Sequence, residues 1–269
     1  MSIVNKDTTL CISLAARPSN IGTSFHNYLY DKLGLNYVYK AFAPSDLGQA
    51  IAGIRGLGIR GAGVSMPYKE AAIALVDVMD ASAAAISAVN TIVNDGGILT
   101  AYNTDYLAIA QLLAENPLAP DTAVLLRGSG GMAKAVAAAL HDAGYVNVTI
   151  VARNEEGGRD LAALYGFAWT PEAAAGAGML INATPLGMAG EQGSVQSFTD
   201  EAVAQARLVF DVVALPAQTP LILAARAAGK LVITGAEVIA LQAAEQFVLY
   251  SGVRPSPELV REASEFSRR

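Results

Sequence analysis

Lys69 and Asp105 are the two side chains of this 269-residue chain whose surroundings best suit them to move a proton. They sit in two of three polar segments, Gly63-Val64-Ser65-Met66-Pro67-Tyr68-Lys69, Ala88-Val89-Asn90-Thr91-Ile92 and Tyr102-Asn103-Thr104-Asp105. Each segment follows or ends a β-rich run. Ligands of open α/β sheets bind beyond the carboxyl ends of the strands, so the segments are expected to converge on a cleft between two domains. An ammonium and a carboxylate meeting there suit the proton transfer of a carbonyl reduction. The plainer readings are Lys69 as a surface lysine at a helix start and Asp105 as a helix cap. The placement of both at strand ends argues against them.

A second constellation points to a nucleotide. Ala123–Leu126 runs into Arg127-Gly128-Ser129-Gly130-Gly131-Met132-Ala133-Lys134-Ala135, a strand, then a glycine-rich turn, then an alanine-rich helix. Gly128 lets the turn form, Gly130 and Gly131 let backbone N–H groups approach a pyrophosphate, and Ala135 keeps the helix close to the sheet. Ser129 and Met132 complete the expected cofactor turn. A further strand, Val148–Ala152, ends about 20 residues later, where an acidic residue marks an NAD site. Here the chain has Arg153-Asn154. A guanidinium suits a 2′-phosphate, and Asn154 can add a hydrogen bond. One charge-assisted contact of about 1.5–3 kcal/mol favours NADP by roughly 10- to 150-fold. NADP is the expected cofactor, and the position of Arg153 argues against a merely solvated surface charge.

Two α/β series can position these groups. The first has strands at Leu10–Leu14, Tyr37–Phe42 and Gly61–Ser65, with a helical pattern around Phe25–Leu33 and a helix capped near Ser45 between them. That βαβαβ rhythm predicts a parallel or mixed sheet. Val89–Val93 and Ile98–Ala101 flank Asn94-Asp95-Gly96-Gly97, whose tolerance of positive φ suits a hairpin. Asn103, Thr104 or Asp105 can cap the helix that begins with Tyr106–Ala110, and Asn116-Pro117 ends it. The second series has strands at Ala123–Leu126, Val148–Val151, Met179–Ile181, Leu208–Val213 and Leu231–Thr234, with Ala173–Ala177 helical or loop. From Glu237 the pattern is helical, with Val238, Leu241, Glu245, Val248 and Leu249 at helical spacing. A final polar helix is expected from about Pro255 to the end, packing back on the first domain.

Composition narrows the class. With 53% hydrophobic and 16% charged residues, the chain can fill two ordinary cores. Charges and prolines such as Asp211, Pro216 and Pro220 break every apolar run before the roughly 20 residues that a bilayer demands. The opening Met1-Ser2-Ile3-Val4-Asn5-Lys6-Asp7 lacks a targeting pattern, so no membrane association and a cytoplasmic location are expected. Cys11 has no partner for a disulfide and reads as a small packed hydrophobe. A net charge of −6 without a lysine or arginine cluster argues against nucleic acid. His26 and His141 are the only histidines, so no metal site is expected.

The three polar segments, the glycine-rich turn, Asn182-Ala183-Thr184-Pro185-Leu186-Gly187-Met188 and Gln242-Ala243-Ala244 occur in an order that resembles the signature set of shikimate dehydrogenases. The resemblance spans nearly the whole chain and is most like the divergent shikimate-dehydrogenase-like branch. It implies an N-terminal α/β substrate-binding and catalytic domain over residues 1–102, completed by about 238–269, and a Rossmann dinucleotide-binding domain over 103–237. It also implies reversible NADP-linked reduction of 3-dehydroshikimate to shikimate by a monomer or homodimer, with roles in aromatic amino acid and chorismate biosynthesis. Lys69 and Asp105 would be catalytic, and Asn20, Ser65, Asn90 and Gln242 would bind substrate. Thr184 would join the cofactor set, with Val212, Val213 and Gly235 close to the nicotinamide.

Several positions depart from that family pattern. Asn20 and Gly22 stand where two serines usually hold a substrate carboxylate, Gly63 replaces an asparagine, and Ala214 replaces a tyrosine. Each hydrogen bond lost to a carboxylate costs about 1.5–3 kcal/mol. Asn20 or Thr23 can replace part of that loss. Two alternatives follow: the same chemistry on quinate or an aminated or otherwise related cyclic hydroxy acid, and an NADP-binding regulatory protein with a degenerate site. His26 reads as structural, because Lys69 already supplies the acid-base group.

Overall fold

The computed structural model describes residues 4–268. Its elements run in the order β1 (Thr9–Leu14), α1 (Asn20–Lys32), β2 (Tyr37–Phe42), α2 (Leu47–Gly56), β3 (Gly61–Val64), β4 (Val78–Met79), α3 (Ala81–Ala84), β5 (Thr91–Asp95), β6 (Ile98–Tyr102) and α4 (Thr104–Glu115). The second series comprises β7 (Val124–Arg127), α5 (Gly131–Asp142), β8 (Val148–Val151), α6 (Glu155–Tyr165), β9 (Ala168–Thr170), β10 (Met179–Asn182), α7 (Asp200–Gln205), β11 (Leu208–Asp211), α8 (Pro220–Ala227) and β12 (Leu231–Thr234). Helices α9 (Gly235–Ser251) and α10 (Pro257–Ser267) close the chain. Two compact units result, Met1–Leu107 with Ala240–Arg269, and Ala108–Ile239. The divisions fall inside α4 and α9.

The first unit holds a mixed sheet of order β2-β1-β3-β5-β6-β4. Strand β1 pairs in parallel with β2 and β3, whereas β5 runs antiparallel to both β3 and β6. Side-chain alternation sends Cys11 into one apolar cluster, with Phe25, Leu29, Phe247 and Tyr250, and sends Ile12 and Leu14 into another, with Ile51, Ile54 and Ile92. The sheet is therefore covered on both faces. Burial pushes the Cys11 thiol up to about 11, which leaves it an inert packing group. Helix α10 does pack on α1 within this unit, where Tyr28 Oη donates to Glu262 at 3.1 Å and the Tyr28 and Phe266 rings lie 4.9 Å apart.

The second unit is a parallel sheet of order β12-β11-β10-β7-β8-β9. That order reverses direction between β7 and β10 and is the Rossmann arrangement, in which ligands meet the carboxyl strand ends at the reversal. Strands β10 and β11 are buried along their whole length. No helix among the described residues is long and apolar enough to cross a membrane.

Local chemistry moved several expected boundaries. Helix α2 is capped by Asp46 and not Ser45, because the Asp46 carboxylate accepts from Gln49 N at 2.7 Å. Asn94 and Asp95 belong to strand β5, and the hairpin turns on Gly96 and Gly97 alone, at φ 62° and 96°. Strand β11 stops at Asp211, two residues short of Val213. Helix α9 starts at Gly235, ahead of Glu237, because Thr234 and Glu237 form a reciprocal capping box in which the Glu237 carboxylate accepts from Thr234 N at 2.7 Å. Helix α10 starts at Pro257 behind the cap Ser256. Ala173–Ala177 is loop. Strands β4 and β9 are too short to leave a pattern in the sequence.

Candidate active site

Strand β3 delivers the lysine. After Val64 the chain turns, with Ser65 N donating to Leu14 O at 2.9 Å and Tyr68 N to Ser65 O at 2.9 Å. The Lys69 carbonyl then accepts from Val89 N at 3.0 Å, tying this turn to the second polar segment. The aspartate comes from the start of α4. Asn103 caps that helix, its Oδ1 accepting from Tyr106 N at 3.0 Å and its Nδ2 donating to Ala88 O at 2.9 Å. Asn103 is thus the capping residue among the three candidates, and Asp105 is left for other work. Lys69 Nζ and Asp105 Oδ2 are 2.7 Å apart, with side chains 33% and 15% exposed. At that exposure an ion pair adds only about 0–1 kcal/mol of stability. Its larger consequence is a fixed ammonium that remains open to solvent.

Behind the pair lies a buried polar network. Asn90 Oδ1 accepts from Thr91 Oγ1 at 2.8 Å, Thr104 N at 2.8 Å and Thr104 Oγ1 at 3.2 Å. The Asn90 Nδ2 amine is buried with no hydrogen-bond partner. A buried unpaired donor costs about 1–3 kcal/mol, so an arrangement that leaves one unpaired suits an incoming acceptor. Gln242 Oε1 lies 3.3 Å from Thr104 Oγ1 and shares its one hydroxyl proton with Asn90 Oδ1. One helical turn on, Gln246 Nε2 donates to Asn90 O at 3.2 Å and Thr91 Oγ1 at 2.9 Å. Sequence reasoning found Asn90 and Gln242 but missed Gln246, whose spacing of four from Gln242 was the available signal. Ser65 and Asn20 are exposed and lie outside this network.

The departures from the expected pattern have a structural counterpart. A Cβ on Gly63 would meet Tyr39 Oη at 2.9 Å, and one on Gly22 would meet the same hydroxyl at 3.9 Å. Tyr39 stacks on His26 at 4.2 Å, and His26 Nδ1 bonds the Gly22 carbonyl at 2.9 Å. Burial pushes His26 down to about 4, so it is a neutral structural ring near pH 7.

In the second unit the glycine-rich turn is shaped by contacts that exclude side chains. Gly128 has φ 123°, and a Cβ there would lie 2.8 Å from Ala183 O. Gly130 caps α5 in extended conformation, and a Cβ on Gly130 or Gly131 would meet nothing within 4 Å. Ser129 and Met132 flank them, half-buried. The helix behind is seated through Ala133, Ala135 and Val136, all fully or almost fully buried. Arg153 is exposed at the end of β8, and Asn154 caps α6 by accepting from Gly157 N at 3.2 Å, which leaves its amine available. These features fit a pyrophosphate against the helix start and a phosphorylated ribose beside Arg153. Thr184 Oγ1 donates to Asn182 Oδ1 at 2.6 Å.

Asp211, which sequence reasoning missed, organises the neighbouring loop. It accepts from Asn182 Nδ2 at 3.0 Å, Val213 N at 3.0 Å and Thr219 Oγ1 at 2.6 Å, and burial raises its pKa. The loop it holds, Val212-Val213, passes so close to Gly235 that a Cβ would lie 2.3 Å from Val212 O. Among the described residues, no group of three or more His, Cys, Asp or Glu side chains could hold a metal ion.

A family model described as the shikimate dehydrogenase substrate binding domain matches residues 20–92. A shikimate dehydrogenase-like protein of Haemophilus influenzae is 52% identical over 268 residues, covering 99% of each chain. A shikimate dehydrogenase (NADP(+)) of Oleidesulfovibrio alaskensis is 38% identical over 235 residues, covering 84% of each. The chain belongs to the shikimate dehydrogenase family. Among solved structures, a shikimate 5-dehydrogenase-like protein matches with TM-score 0.97 at 52% identity over 99% of this chain and 100% of that one. A Thermus thermophilus shikimate 5-dehydrogenase in complex with NADP(H) and shikimate gives TM-score 0.86 at 29% identity, over 97% and 100% of the chains. A Corynebacterium glutamicum quinate dehydrogenase in complex with NAD gives 0.87 at 26%, over 96% and 98%. This member of the shikimate dehydrogenase family pairs Lys69 with Asp105 and carries glycines at positions 22 and 63.

Proposed function

We propose that this protein is an NADP-dependent dehydrogenase that reversibly reduces 3-dehydroshikimate to shikimate, or reversibly reduces the ketone of a closely related cyclic hydroxy acid. The observation that carries the reading is the Lys69–Asp105 pair at 2.7 Å, set beside the unpaired amide donor of Asn90. In this reading the first unit binds substrate and the second binds the dinucleotide. Bound NADPH supplies the hydride. Lys69 Nζ polarises the carbonyl oxygen and gives it a proton, and in the reverse direction takes the proton from the hydroxyl. Asp105 keeps the ammonium aimed and accepts from a ring hydroxyl. Asn90 Nδ2 and Gln242 donate to the remaining substrate oxygens, with Ser65 and Asn20 contributing from the exposed rim.

Gly128, Ser129, Gly130, Gly131 and Met132 would hold the pyrophosphate, with Thr184 packed beside Gly128, and Arg153 and Asn154 the 2′-phosphate. Val212, Val213 and Gly235 would border the nicotinamide. Purified protein given NADPH and 3-dehydroshikimate is expected to lose absorbance at the nicotinamide band, and Lys69→Ala to slow the loss by about 10²- to 10⁴-fold. No NADPH oxidation by the parent protein with any of a set of cyclic keto acids would overturn the proposal and favour a nucleotide-binding regulator.

One observation favours a second substrate. Tyr39 Oη takes the space that a side chain at position 63 would need, so the carboxylate end of the pocket differs from the pattern expected for shikimate. Quinate or an aminated analogue would fit a pocket altered there. Comparing kcat/KM for shikimate, quinate and an amino analogue decides between them.

A further inference from the structure

Arg127 ends strand β7, immediately before Gly128, and its side chain is half-buried and forms no ion pair among the described residues. Nε is buried with no hydrogen-bond partner, and the guanidinium lies over the Phe198 ring at 5.0 Å. A cation–π contact of this kind leaves the charge itself without a compensating anion. The residue lines a cavity of about 590 Å³ together with Leu186, Gln196, Ser197, Phe198 and Asp200. Ser197 Oγ is a second buried polar atom without a partner. Asp200 is the carboxylate on this wall, and it accepts from Gln196 Nε2 at 2.7 Å with no ion pair to Arg127.

The neighbouring charge has the same sign. Arg127 pairs in register with Val151, so Arg153 leaves the adjacent strand end two residues further on. Burial first, and then the charge of Arg153, lower the pKa of Arg127, and no acidic group opposes them. Two guanidiniums at neighbouring strand ends match an anion of more than one charge and several acceptor oxygens. A phosphomonoester has that chemistry. The cavity wall at Leu186 continues directly from Ala183 and Thr184, which pack on Gly128, so the guanidinium stands beside the turn already assigned to the dinucleotide.

We propose that Arg127 is a second guanidinium of the 2′-phosphate subsite, so that discrimination for a phosphorylated ribose is shared between Arg127 and Arg153. The inference rests on the reading of the second unit as an NADP site. Calorimetric titration of the intact protein with adenosine 2′,5′-bisphosphate and with AMP isolates the ribose phosphate from every other part of the cofactor. Arg127→Leu is expected to weaken the bisphosphate by about 10- to 150-fold and to leave AMP as in the parent. Arg127→Lys, which keeps a charge without the planar fork, should fall between, and it decides the matter if the leucine variant does not fold.

Equal weakening of both ligands, or none, in a folded Arg127 variant overturns the inference. If Arg153→Leu alone removes the discrimination, Arg127 is dismissed and the NADP reading stands. If neither variant changes the ratio of the two affinities, the 2′-phosphate assignment falls with it.

Discussion

The two sites of this molecule are built from opposite materials. Around Lys69, the proposed function resides in side chains, the Lys69–Asp105 pair and a buried network in which Asn90 Oδ1 accepts three hydrogen bonds while its Nδ2 is left unpaired. Around Gly128 and Gly235, it resides in the absence of side chains, where backbone passes within 2.3–2.8 Å of the place a Cβ would occupy. The first kind of site should tolerate neighbouring change and fail when a group is removed. The second should fail when a single methyl is added. Removal and addition are therefore the means of separating them.

The largest effect is expected from removal at the first site. Lys69→Ala should lower kcat by about 10²- to 10⁴-fold, the usual range for loss of a general acid or base, with the melting temperature close to that of the parent. A large fall in melting temperature would mean that the lysine is structural. The complementary test adds a methyl at the second site. Gly235→Ala should destabilise by roughly 2–4 kcal/mol, because the neighbour is the Val212-Val213 backbone and cannot rotate away. Urea unfolding measures this directly, and an unchanged midpoint would show that the loop yields.

His26 offers a pH test confined to the first unit. Its folded pKa of about 4 lies below the value of 6.5 for a free histidine, so between those pH values the unfolded chain binds the additional proton. Stability from this group is complete above about pH 6.5 and is lost as the pH falls towards 4, by roughly 3 kcal/mol in all. Unfolding free energies of the parent and His26→Phe at pH 7 and pH 4.5 should show a smaller acid loss in the variant. Equal losses would remove His26 from the explanation. The smallest effect is at Asp46, remote from both sites in role: Asp46→Ala should cost about 1 kcal/mol through loss of the α2 cap and leave turnover unaltered.

The contrast also explains what could be read from the chain. Strands β2, β8 and β12 matched their apolar runs residue for residue, and the glycine-rich turn was legible because strand, turn and helix follow one another directly. Lys69, Asp105 and Asn90 were visible as polar groups at strand ends, and Gln242 through the family resemblance. Their common network was not, since Thr104 and Gln246 enter it only when α4 and α9 meet β5. Asp211 looked like one charge interrupting an apolar run, although the fold buries it and gives it three donors. Tyr39 looked like an ordinary strand aromatic, and only the close approach of Gly63 reveals that its hydroxyl fills the space of a missing side chain. Short-range choices such as Asp46 over Ser45 depend on which carboxylate reaches a backbone N–H, which spacing alone does not rank.

The central claim is that Lys69 and Asp105 act as one proton-handling unit, and a double-mutant cycle on kcat for NADPH-linked reduction tests it most directly. If the aspartate works through the lysine, Lys69→Ala with Asp105→Asn should be no slower than Lys69→Ala alone. If the two losses instead multiply, the residues act independently and the account is contradicted.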